Sequence, residues 1–148
     1  MFCLICLLLL SYFCMCAADP IKFKDCGSTA TVDDVDISPC PTQPCCFKHG
    51  DNATVKIAFT SASTAKTMKA EVFGIVAGVP IPFPLPNPDG CKESGIVCPI
   101  QSGSTQTYQS TLSVLPQYPD IRLIVKWDLR DELNNLIFCI EFPLEIKD

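Results

Sequence analysis

Residues 121–146, "IRLIVKWDLRDELNNLIFCIEFPLEI", decide the fold class of this chain. Apolar and polar residues alternate in both halves, which is typical of strands that bury one face. The apolar positions are Ile121, Leu123, Val125, Trp127 and Leu129, then Leu136, Phe138, Ile140, Phe142, Leu144 and Ile146. The polar segment "RDELNN" (130–135) between them supplies a turn. We therefore expect an antiparallel hairpin with one dry face.

Three upstream segments repeat this alternation. They are "TVKIAFT" (54–60), "KAEVFGIVAG" (69–78) and "TQTYQSTLSV" (105–114). No helical periodicity occurs after residue 50. Short strands, frequent turns and no long helix predict an all-β protein with a sandwich architecture.

The N-terminal residues 2–16, "FCLICLLLLSYFCMC", form an apolar run followed by Ala17 and Ala18. The run is shorter than the roughly 20 residues of a membrane-spanning helix, so it predicts a secretory signal peptide over residues 1–18. A retained N-terminal anchor is the alternative, because no Lys or Arg precedes the run. Residues 19–148 then form one domain, and the net charge of −5 disfavours nucleic acid as a partner.

Seven cysteines remain after residue 18, and secretion makes disulfides the expected state. Short loops favour pairing Cys40 with Cys45 and Cys91 with Cys98, which leaves Cys26 for Cys139. Other pairings stay open, because sequence does not fix connectivity. Cys46 is the odd residue. We expect it to be a buried inert thiol, with an intermolecular disulfide or mispairing with Cys40 as alternatives.

The segment "GVPIPFPLPNPDGC" (78–91) places prolines at alternate positions. Proline has no N–H to donate, so the segment must lie at a sheet edge or in a loop. The even spacing also lacks the three-residue separation of a PxxP ligand. The opposite side of the segment presents apolar residues at Val79, Ile81, Phe83 and Leu85. We interpret them as one stiff side of the mouth of an apolar cavity. A rigid edge that only seals the sandwich is the alternative.

A second apolar segment, "LSVLPQYP" (112–119), is a candidate for the opposite side of this mouth. Its large groups are Val114, Leu115 and Tyr118, and a tyrosine can lay its ring on hydrocarbon while its hydroxyl stays in water. Ordinary core packing explains the same residues equally well.

The remaining polar motifs point away from catalysis. Asn52-Ala53-Thr54 is an N-glycosylation sequon. The run 33–36, "DDVD", lacks the glycine and distal glutamate of a calcium loop, so we interpret it as a solvated edge. His49 is the single histidine, and no GxSxG, GxGxxG or P-loop occurs. We therefore expect no enzyme activity, no cofactor and no metal site.

Six blocks of sequence, taken in order, resemble the lipid-recognition ML family over nearly the whole predicted mature chain. They are "FKDCGS" (23–28), "SPCPTQPC" (38–45), the proline segment, "CPIQ" (98–101), "YP" (118–119) and "FC" (138–139). The resemblance implies an immunoglobulin-like sandwich of two antiparallel sheets around an apolar cavity. It also implies the same three disulfides.

The resemblance further implies a cavity that accepts a sterol tail-first and leaves the sterol hydroxyl near the mouth. Phe83, Val114 and Tyr118 match the mouth, and Pro119 and Trp127 match neighbouring positions. Such proteins carry cholesterol in the endosome and lysosome and pass it to a membrane protein. The same fold can carry fatty acids or semiochemicals, or present microbial lipid in innate immunity. We expect a monomer, with Cys46 as a candidate intermolecular link.

Overall fold

The computed structural model describes residues 20–148, so the predicted signal peptide lies outside the described residues. Over this range the chain forms strands and no helix, which confirms the all-β prediction. No segment of residues 20–148 therefore forms a helix long and apolar enough to cross a membrane. The strands are β1 (Lys24–Asp25), β2 (Thr31–Ser38), β3 (Cys45–Phe47), β4 (Asn52–Thr60), β5 (Met68–Val76), β6 (Val79–Phe83), β7 (Thr105–Ser113), β8 (Ile121–Asp131) and β9 (Leu136–Ile146).

The strands form two sheets in an immunoglobulin-like sandwich. The larger sheet has the order β1-β9-β8-β5-β6, and the smaller has the order β2-β4-β7. Neighbouring strands run antiparallel except β3, which pairs parallel with β9. β1 and β3 thus share one edge of β9, and they tie the N-terminal part of the described chain to its last strand.

The predicted hairpin is present as β8 and β9, with Trp127 opposite Ile140. Its turn is ordered by the Asp131 carboxylate, which accepts hydrogen bonds from the N–H groups of Leu133 and Asn135 at 2.9 Å each. Asn134 takes a positive φ of 64°, a conformation that asparagine tolerates better than most residues. The polar turn sequence therefore supplies both the cap and the backbone conformation that the hairpin needs.

Aromatic side chains fill one end of the space between the sheets. Phe59, Tyr108, Trp127 and Phe138 are all completely or almost completely buried. Their rings meet edge to face, with centroids 5.4 Å apart for Phe59 and Phe138 and 5.9 Å apart for Tyr108 and Trp127. This geometry is preferred for aromatic pairs and adds to the free energy of burial. We call these four residues the aromatic cluster.

The proline segment lies at an edge, as the missing N–H groups require. β6 is the outermost strand of the larger sheet and pairs only with β5. Its apolar side is not uniformly covered, because Val79 and Ile81 are 60% and 52% exposed while Phe83 and Leu85 pack against the core. The apolar row therefore divides into an exposed start and a partly buried end.

The acidic run is also at an edge, but it belongs to a regular strand. β2 pairs only with β4, and Val35 and Ile37 point into the core while the intervening aspartate stays partly exposed. The acidic run is short and rich in aspartate, so its alternation of apolar and charged residues did not predict a strand. Burial of Val35 and Ile37 outweighs the poor strand propensity of aspartate.

The structure pairs Cys26 with Cys139, Cys40 with Cys45, and Cys91 with Cys98. Loop length favoured the two short-loop pairs and left Cys26 for Cys139, so all three expected pairs are confirmed. The expectation that Cys46 is buried is wrong, because its thiol is free and exposed. The reason is strand alternation: Cys45 and Phe47 point into the core from β3, so Cys46 between them must point outward.

The disulfides differ in the length of chain they close, so their removal should differ in cost. Cys26→Ala with Cys139→Ala opens a loop of 113 residues, whereas Cys40→Ala with Cys45→Ala opens one of 5. From chain entropy we expect losses of about 5 and about 2 kcal/mol in the free energy of unfolding, respectively. Urea unfolding of the two double variants measures both values. Equal losses would contradict this account.

Candidate functional site

An apolar cavity lies between the sheets at the end opposite the aromatic cluster. It is lined by residues of β3 to β9 and of the segment after β7: Phe47, Ala53, Val72, Phe73, Gly74, Phe83, Leu112, Ser113, Val114, Tyr118, Leu123, Val125, Leu144 and Ile146. Ser113 and Tyr118 are the only lining residues with polar side chains, and the Ser113 hydroxyl donates to Asn52 Oδ1 on the exposed side of β7. The period-two pattern places most of these side chains inward from both sheets, so the cavity is a part of the core that side chains do not fill.

The cavity is narrow in this structure. Its volume is about 40 Å³. That is room for roughly three water molecules. A larger apolar ligand would have to push the lining side chains apart, and flexible groups such as Leu112 and Leu144 are suited to such movement.

Two aromatic rings close the mouth of the cavity. Phe83, at the end of β6, and Tyr118, in the segment after β7, have ring centroids 5.1 Å apart and tilted planes. Both rings are partly buried and both contact the apolar lining. Burial raises the pKa of the Tyr118 phenol, so the group at the mouth stays neutral at physiological pH.

The segment from Val114 to Asp120, which we call the lip, is fixed by the turn between β3 and β4. The N–H of Gly50 donates to the Val114 carbonyl at 2.7 Å, and the N–H of Val114 donates to the Asp51 carbonyl at 2.9 Å. Farther along the lip, His49 Nε2 donates to the Tyr118 carbonyl at 2.6 Å. The backbone that carries one mouth ring is therefore held at two points.

The residues proposed from sequence reach the cavity to different degrees. Phe83, Val114 and Tyr118 line it. Ile81 and Pro119 lie outside it, in a shallow apolar depression that shares Phe83 and Tyr118 with the mouth. Leu85 follows β6 and lines a separate surface depression next to Phe83. Val79 is exposed and lines neither the cavity nor these two depressions. Trp127 belongs to the aromatic cluster and does not line the cavity.

Most of the inner lining was not singled out in the sequence. Val125 was predicted only as an inward strand position, and Ala53, Val72 and Leu112 were not assigned to a cavity wall, because nothing local distinguishes such a wall from a filled core. Gly74 carries a clearer signal, because a Cβ there would lie 3.0 Å from the Leu123 side chain. A glycine inside a strand often marks such a close approach.

Comparison with known proteins gives a consistent answer across the chain. The family model of the ML domain matches residues 20–146. A Bos taurus protein named NPC intracellular cholesterol transporter 2 is 47% identical over 131 residues, which cover 88% of this chain and 87% of that protein. The Danio rerio protein of the same name is 48% identical over 93% of each chain. The crystal structure of a Niemann-Pick type C2 protein from Japanese carpenter ant superposes with a TM-score of 0.81 at 33% identity, covering 86% of this chain and 100% of that one.

Filling the cavity from one wall should abolish its capacity for an apolar probe. Ala53 lines the cavity from β4, whereas Ala58 on the same strand points to the opposite face. We expect Ala53→Leu to reduce the fluorescence of a bound naphthalene sulfonate dye severalfold, because the added carbons occupy the free space. Ala58→Leu is the matched control and should leave it unchanged. Equal dye fluorescence in both variants, with intact thermal unfolding, would place the dye elsewhere.

Proposed function

The chain belongs to the ML-domain family, and from this premise we propose that it is a non-enzymatic carrier of cholesterol or a related sterol. The ligand lies in the cavity between the two sheets. Relatives named as cholesterol transporters support a sterol as the ligand. The apolar lining of the cavity is the observation that carries the proposal for this chain. The protein makes and breaks no covalent bond in this role.

Burial of hydrocarbon supplies the binding free energy. If about 400 Å² of sterol surface leaves water, the gross gain is on the order of 10 kcal/mol before the costs of association. Opening the narrow cavity subtracts from this gain, because the lining must give up contacts between its own side chains. The remainder is consistent with micromolar or tighter binding.

The lining favours a neutral lipid. Among the lining residues, all of them in the described part of the chain, none is lysine, arginine or histidine. The carboxylate of a fatty acid would find no positive partner there, and burying it unpaired would be costly. A sterol carries a single hydroxyl group, which can stay at the mouth near Tyr118 and water.

This chemistry gives the ligand an orientation. The sterol tail enters first and points toward the aromatic cluster, where Trp127 marks the inner limit of the site. Phe83, Val114 and Tyr118 surround the mouth. Ile81 and Pro119 in the depression beside the mouth, and Leu85 just after β6, form a rim that contacts the lipid during uptake and release. The exposed Val79 extends this rim along β6.

The setting of this activity follows from the same premise. We propose that the protein is secreted and acts outside the cell or in the lumen of the endosome and lysosome, where a membrane sterol-transfer protein receives the ligand. Asn52 is exposed at the start of β4 and is proposed to carry a glycan. The carrier acts as a monomer, and the exposed Cys46 is the candidate for any covalent link between copies.

Binding of dehydroergosterol, a fluorescent sterol, tests this function. We expect saturable binding and about tenfold weaker affinity in Phe83→Ala, since the variant removes an apolar ring from the mouth. Leu133→Ala is the control, because Leu133 is an exposed leucine in the β8–β9 turn.

The competing lipid decides the class of cargo. Cholesterol should displace the probe, whereas oleate should displace it poorly. If oleate displaces the probe and cholesterol does not, the cargo is a fatty acid and the proposed sterol is wrong. A Phe83→Ala protein that binds as well as the unmodified chain would rule out the proposed mouth.

A further inference from the structure

His49 joins three separate parts of the chain at the mouth of the cavity. It lies in the turn between β3 and β4, its Nε2 donates to the Tyr118 carbonyl at 2.6 Å, and its Nδ1 lies 2.8 Å from Asp148 Oδ1. Its backbone N–H also donates to Asp148 Oδ1 at 3.0 Å. The side chain is only 18% exposed. The lip that carries Tyr118 is thus connected through one imidazole to the segment after β9.

Both ring contacts require a proton on the imidazole. A backbone carbonyl and an ionised carboxylate only accept hydrogen bonds, so Nε2 and Nδ1 must both donate. A neutral imidazole has one N–H and can satisfy only one of the two partners. The arrangement with Tyr118 and Asp148 is therefore complete only in the imidazolium form.

The charges around the ring favour that form. The hydrogen bond to Asp148 and then the one to the Tyr118 carbonyl raise the pKa of His49, and the Asp120 carboxylate, 3.8 Å from Nδ1, acts in the same direction. His49 in turn lowers the pKa of Asp148, with a smaller contribution from Lys48. Asp51, the remaining acid of the turn, accepts the backbone N–H of Lys48.

We propose that protonated His49 holds the lip closed over the cavity, and that loss of this proton loosens Tyr118 and speeds lipid exchange. His49 is a positioning residue, because it lies outside the cavity lining and acts through the backbone of Tyr118. The proposal rests on the proposed carrier function, since exchange requires a cargo.

The sign of the pH effect follows from the two shifted groups. Because the pKa of His49 is raised in the folded state, its contribution to the stability of the closed lip is fully present below the ordinary pKa of histidine. That contribution is lost as the pH rises through the raised pKa. Because the pKa of Asp148 is lowered in the folded state, its contribution to the stability of the closed lip is lost only as the pH falls through that lowered pKa. The lip is therefore held most firmly at mildly acidic pH and is released on the alkaline side.

The first test needs no lipid. His49 is the single histidine of the sequence, so one imidazole resonance reports its titration by NMR. We expect a midpoint above 6.5, with the amide resonance of Tyr118 following the same curve. In Asp148→Asn the midpoint should move down. A Tyr118 amide that stays constant while His49 titrates would overturn the proposal.

The second test measures release of dehydroergosterol by stopped flow. Between about pH 5.5 and about pH 8.5 we expect the release rate to rise roughly threefold to tenfold, since one charge-assisted hydrogen bond is lost. His49→Gln should make the profile flat, because an amide does not titrate in this range. Lys48→Gln is the matched control from the same turn and should keep the pH dependence. An equal rise in His49→Gln would overturn the proposal.

The two tests separate this proposal from the carrier function. A protein that binds no sterol at any pH lacks the proposed function, yet the response of the Tyr118 amide still decides whether His49 controls the lip. Sterol binding with a release rate independent of pH leaves the carrier intact and rejects the role of His49.

Discussion

Uneven packing between the two sheets is the constraint on which the rest of this structure depends. At one end the aromatic cluster fills the gap with rings in edge-to-face contact. At the other end the small residues Ala53 and Gly74 are among those that face the gap, and the side chains around them leave space. Protein interiors normally pack without such space, so an unfilled end reduces stability. The disulfide between Cys26 and Cys139 and the two short-loop disulfides offset that loss by restricting the unfolded chain.

The mouth shows how the fold can hold a cavity shut without filling it. Phe83 is carried by an edge strand that proline keeps stiff, and Tyr118 by a lip that hydrogen bonds fix to a neighbouring turn. Neither ring is part of the aromatic cluster, so movement of the rings apart disturbs few core contacts. Access to the interior can therefore change while both sheets stay intact. The hydrogen bonds of the lip, rather than the core, are then the natural place for control.

Local patterns in the sequence predict five of the strands and the two short-loop disulfides, and the pairing of Cys26 with Cys139 follows by elimination. Alternation identifies β4, β5, β7, β8 and β9, and loop length ranks the cysteine pairs. Local pattern fails where partners are distant. His49 reads as an ordinary surface histidine because Tyr118 and Asp148 lie 69 and 99 residues away. Cys46 is misplaced for a different reason, since the three-residue strand β3 is too short to show its alternation. The cavity itself has no sequence pattern, because its walls use the same residue types as the filled core.

The central claim is that a lipid occupies the space between the sheets. Nuclear Overhauser effects between a bound sterol and methyl-labelled protein test it most directly. The account predicts contacts from the sterol to the methyl groups of Leu112, Val114 and Val125. Contacts confined to Ile75 and Ile124, which line an open groove on another part of the larger sheet, would contradict it.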